Sequence, residues 1–135
     1  DNKNSILTQT SSENQQYIRD FNYYSEKSIN IFKQIEEIRD LVNTKQATKE
    51  QASGVISNLL ENIDGDYEDF WNKDPPQEYR QFHFTYSVAV SSQNAAYANY
   101  NLYLATENPA LLVKVNNQLD SATKNFEEAS KIKPF

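Results

Sequence analysis

Cysteine is absent from the 135-residue chain, which excludes disulfides, thiolate zinc sites and cysteine nucleophiles. Methionine is absent too; because translation starts with one, a processed or truncated chain is expected, with an N-terminal piece removed. Glycine occurs twice and proline four times, too rarely for a loop-rich or all-β fold, whose turns need residues that tolerate positive φ. That scarcity favours long helices. There is one histidine, so sites built on paired imidazoles, such as di-iron, bis-histidine haem and histidine-based zinc centres, are excluded. No run of about 20 apolar residues is present, the length a membrane-spanning helix needs. The formal net charge is −6 with no basic cluster to offset it, which argues against nucleic acid as a partner. No cofactor is expected.

What is present is apolar periodicity of the helical kind. Tyr17, Phe21, Tyr24, Ser28, Ile31, Ile35, Ile38 and Val42 follow one another by steps of four and three, which predicts a first helix over residues 12–44. Thr48 and Gln51 have the form of a capping box. They start a second helix, residues 48–71, with Ala52, Ile56, Leu59, Ile63, Tyr67 and Phe70 turned inward. Asp74 ahead of Pro75 reads as an N-cap carboxylate followed by a proline at the first helical position. The third helix is therefore expected over residues 75–106, with Tyr79, Phe82, Tyr86, Val90, Gln93, Tyr97, Tyr100 and Leu104 on its main face. Asn108-Pro109 repeats the signal and opens a fourth helix, residues 109–131, striped with Leu112, Val115, Leu119, Ala122, Phe126 and Ala129. Connections of about three residues set successive helices antiparallel and side by side. The expected fold is all-α, an antiparallel up-down-up-down four-helix bundle formed by residues 12–135, behind a flexible polar tether of residues 1–11. A three-helix array with the fourth helix docked elsewhere is the alternative.

Candidate sites are few. His83 lies among aromatic residues in PPQEYRQFHFTYSVAV, but no nucleophile elbow accompanies it. It reads as structural: a half-buried imidazole at the flank of the third helix's apolar face, bonded to a tyrosine or carboxylate near Asp20, Tyr23, Tyr24, Glu127 and Glu128. The end of the second helix collects Glu61, Asp64, Asp66, Glu68 and Asp69. Its DGDYED segment resembles a calcium loop only superficially, with the glycine misplaced and the terminal glutamate missing. The patch reads as a solvated acidic face, with a weak cation site or a landing patch for a basic partner (Glu61, Asp64, Glu68, Asp69) as the sharper alternative. Between residues 81 and 106 there is no Lys, Arg, Asp or Glu. Opposite the main apolar face of that helix, Phe84, Val88, Ala95 and Leu102 form a second stripe, and Tyr103 near its end is a further candidate contact. A helix with two such faces is either embedded more deeply than its partners or offers one face to another protein.

In PPQEYRQFHFTYSVAV, NAAYANYNLYLATENPALL and LDSATKNFEEASK, over about residues 75–131, the chain resembles small lipoproteins of unknown function from Gram-positive bacteria. In these a Pro-initiated helix with an aromatic-His-x-x-aromatic pattern is followed by a short turn and an Ala-rich amphipathic helix. The resemblance implies anchoring at the cell surface, outside the membrane, and transfers no activity and no site residue. That family places a lipid-modified cysteine just upstream, and this chain has none. Together with the polar leader and the missing methionine, the expectation is a cell-surface or secreted extracytoplasmic protein, cleaved from a signal or from a lipid anchor upstream of residue 1. It is expected to be non-enzymatic, a monomer or weak dimer, and to act through an unidentified protein partner, with exclusion or immunity as the class-level analogy. A small-ligand or metal carrier using the bundle interior or the acidic end of the second helix is the alternative.

Overall fold

The computed structural model describes the backbone of residues 2–135 and the side chains of residues 12–135. Four helices make up almost all of it: α1 (Asn2–Asn43), α2 (Lys49–Asp66), α3 (Arg80–Thr106) and α4 (Pro109–Ile132). No strand occurs among the described residues. Helical backbone thus begins well before residue 12; the tether expected over residues 1–11 falls on side chains outside the described residues.

Helix ends follow from local chemistry. At the end of α1 the Gln46 N–H bonds the Leu41 carbonyl at 2.8 Å and the Lys45 N–H bonds that of Val42 at 3.1 Å. This is a Schellman pair, and it puts Lys45 at φ 61°, the left-handed position that glycine usually fills. α2 opens with a complete capping box: Thr48 Oγ1 accepts from the Gln51 N–H, and the Gln51 side chain accepts from the Thr48 N–H. Its far end is not the continuous α-helix to residue 71 that periodicity suggests. Tyr67–Trp71 is a π turn, and this wider turn buries two consecutive aromatic residues, Phe70 and Trp71.

α3 also starts differently from the sequence expectation. Asp74 does not cap it; Tyr79 occupies the N-cap position and no side chain closes that end. The cause is the second proline. Pro76 pushes the residue before it out of the helical region, and Pro76 itself is extended at ψ 147°. The chain can coil only beyond it, through one 3-10 turn, Gln77–Tyr79, into α3. α4 begins as expected, with the Asn108 side chain accepting from the Ala110 N–H and Pro109 in the first turn.

α1 packs on α2, α2 on α3, and α3 most intimately on α4. α3 and α4 both bury alanines, Ala89 and Ala96 in one and Ala122 and Ala129 in the other, and small side chains shorten the distance between helix axes. α1 and α4 make no comparable close approach. Ile35, Ile56, Ile63, Val90 and Val115 form the dry centre. At one end Tyr17 and Phe21 of α1, Phe70 and Trp71, Tyr79, Phe82 and Phe135 pack ring against ring, Tyr17 face to face with Phe70 and Tyr79 and the others edge to face. At the other, Arg39 lies over the Tyr100 ring and Lys49 pairs with Glu107.

Candidate functional site

His83 belongs to the aromatic end. In a regular helix the Trp71 carbonyl would accept from the N–H four residues on, but residues 75 and 76 are prolines and have none to give. His83 Nε2 fills that vacancy at 3.1 Å from the carbonyl oxygen. A carbonyl only accepts, so Nε2 carries the proton. Nδ1 of the neutral ring then accepts from the Tyr17 hydroxyl at 3.0 Å. The ring is buried, not half-buried, and its partners are Tyr17 and Trp71; Tyr17 lies one turn before Asp20 and two before Tyr24, the level expected. Burial pushes its pKa below the ordinary value, while the carbonyls of Trp71, Phe70 and Lys73 and the charge of Asp74 pull the other way. With both nitrogens engaged, the imidazole holds α1 and the end of α2 against α3. Cavities of about 340 Å³ and 210 Å³ lie on either side of the connection over residues 72–76, and His83 borders both.

The back of α3 faces water. Phe84 is 68% exposed and Leu102 49%, while Val88 and Ala95 between them are half-buried. The stripe runs about 27 Å at 1.5 Å per residue. Tyr103 does not join it: its ring packs on the core beside Tyr100, 6.4 Å between centroids.

In the acidic patch Glu61, Asp64, Glu68 and Asp69 are exposed, and Asp64 accepts from Asn94 at 3.1 Å. No three His, Cys, Asp or Glu side chains among the described residues are grouped so as to hold a metal ion. Asp66 does not belong with the patch. It is buried and accepts from Lys27 of α1 at 2.6 Å. The spacing carries this signal, because Asp66 follows Ile63 by three residues and precedes Phe70 by four, in register with the inward stripe.

A groove of about 520 Å³ runs where α1 and α4 stay apart, lined by Ile29, Phe32, Lys33 and Glu36 of α1, Tyr86, Gln93 and Tyr97 of α3, and Phe126 of α4. Burial pushes the Tyr86 hydroxyl up to about 12 and raises that of Tyr97 as well, so both remain donors. Periodicity placed Tyr86, Gln93 and Phe126 in the core, and gave no sign of the opening.

The chain matches no protein-family model, no curated protein and no solved structure. No helix among the described residues is long and apolar enough to cross a membrane.

Proposed function

We propose that this protein is a non-enzymatic contact module, an up-down-up-down four-helix bundle that presents the back of α3 to a protein partner. The observation that carries this reading is Phe84, a phenylalanine 68% exposed on a face free of charge from residue 81 to 106. Interface centres are depleted in charge and enriched in aromatic residues. Burying one such side chain contributes about 1.5–3 kcal/mol. The bundle topology is supported by the short connections and by the way the ends meet: Tyr17, Trp71, Tyr79 and Phe135 at one pole, Arg39, Lys49, Tyr100 and Glu107 at the other. An extracytoplasmic, surface-tethered placement and a role of the exclusion or immunity type rest on the resemblance to small Gram-positive lipoproteins.

The test uses two substitutions. Phe84→Asp and Leu102→Asp should leave the melting temperature within about 2 °C of the parent, since exposed positions cost within about 0.5 kcal/mol. A photo-crosslinking residue at position 84 should trap a protein that one at Lys114 on α4 does not. Purified, that protein should bind the parent at least tenfold more tightly than Phe84→Asp. If both aspartate variants unfold, the face is core and the reading fails.

A second reading, a small-ligand carrier, draws on the apolar groove between α1, α3 and α4, whose volume lies within the roughly 300–1,000 Å³ usual for small-molecule sites.

A further inference from the structure

We infer that this groove takes an amphiphile with an aliphatic body and a single carboxylate head, of fatty-acid type. The inference rests on the carrier reading and assigns its ligand. The lining is graded along its length. One end is apolar, where the Phe126 and Tyr86 rings meet at 5.0 Å beside Ile29. Ile29 is 57% exposed, so the wall it forms is left in water. Seven residues further along α1, about 10 Å at 1.5 Å per residue, the lining becomes polar: the Tyr97 hydroxyl donates to Glu36 at 2.7 Å, with Gln93 one turn away. A ligand that fits must therefore be apolar along most of its length and polar at one end.

The sign of the head follows from which charge is free. Glu36 accepts from Tyr97 and lies 3.6 Å from the Arg39 guanidinium, so its charge is already answered. Lys33, on the same wall, has no ion-pair partner among the described residues and is exposed. The open charge of the groove is an ammonium, and an ammonium together with a primary amide favours an oxyanion acceptor. A cationic head would meet Lys33 unopposed. A neutral head would gain the groove's apolar contacts and forgo the charge.

The experiment compares decanoate, decanol and decylammonium, each below its micellar concentration, by calorimetric titration and thermal melting of the whole chain. Decanoate should bind saturably and raise the melting temperature by roughly 5–10 °C at a hundredfold excess over Kd. Decanol should bind about three- to fivefold more weakly, and decylammonium more weakly still. Lys33→Glu should weaken decanoate about tenfold and leave decanol unchanged, and Ile29→Asp should abolish binding of both. Both residues are exposed, so the variants' own melts verify that they fold. Equal affinity for decanoate and decanol would overturn the head-group assignment and leave the carrier reading standing. Binding of none of the three would remove the carrier reading itself. Decanoate binding undiminished in Ile29→Asp would show detergent action elsewhere and overturn the site. A concentration-dependent dimer abolished by Ile29→Asp, without decanoate binding, would make the groove a contact between copies and overturn the proposal too.

Discussion

The tautomer of His83 is set by a neighbour that is not titratable. Because the Trp71 carbonyl can only accept, Nε2 carries the proton, and burial, which outweighs the pull of that carbonyl, disfavours adding a second one. Its folded pKa lies below the ordinary value of about 6.5, so the unfolded chain takes up the proton first. The stability this provides is full above about pH 6.5 and declines as pH falls from there toward the folded pKa. Urea midpoints should therefore drop between pH 7.5 and 5.5 in the parent, and less in His83→Gln. That variant should also be about 1–3 kcal/mol less stable at pH 7.5, from a partner left unpaired. The same decline in both proteins would show that the histidine is not its source. Lys45 is the opposite case, a residue in a conformation its side chain disfavours. Lys45→Gly should raise stability by about 1 kcal/mol, or about 4 °C in the melting temperature.

Between elements, an ion pair joins α1 to α2, and its two ends are unequally buried. The Asp66 side chain is 4% exposed and that of Lys27 34%. The hydrogen bond to Asp66 raises the Lys27 pKa, against partial desolvation, so the ammonium stays charged. Removing the exposed end is expected to be the costlier change, since Lys27→Met strands a buried carboxylate. It should lose about 2–3 kcal/mol. The double variant Lys27→Met, Asp66→Leu should recover most of that, because replacing both partners by apolar groups leaves nothing unpaired. Chemical denaturation of the two single variants and the double one closes the cycle. If the double variant is no more stable than Lys27→Met, Asp66 is not bound as described.

For the whole molecule, α2 and α3 each pack against two neighbours, but α3 makes the most intimate contact, with α4, and supplies the largest share of buried residues. Hydrogen exchange should therefore be slowest at the amides of Val90, Ala96 and Tyr97. The first turns of α4, where residues 113 and 114 are exposed, should exchange well before global unfolding. Uniform protection along α3 and α4 would contradict this ordering. The two faces of α3 expected from the sequence both exist: one buried between α2 and α4, one in water.

Periodicity and caps alone determined the four helices, most of their inward residues, and the starts of α2 and α4, because spacing and capping act over a few residues and can be read locally. The uncharged outer stripe of α3, from Phe84 to Leu102, was legible for the same reason. Three things were decided only by tertiary structure. His83 is buried because two prolines deprive the Trp71 carbonyl of its donor and α1 brings Tyr17 to the other nitrogen. Asp66 turns inward in step with Ile63 and Phe70, as its spacing shows, but it is answered by Lys27 only because α1 lies against that end of α2. The groove opens because α1 leans on α2 while α4 leans on α3, and how far apart two helices stand depends on packing across the whole core, which no local spacing encodes.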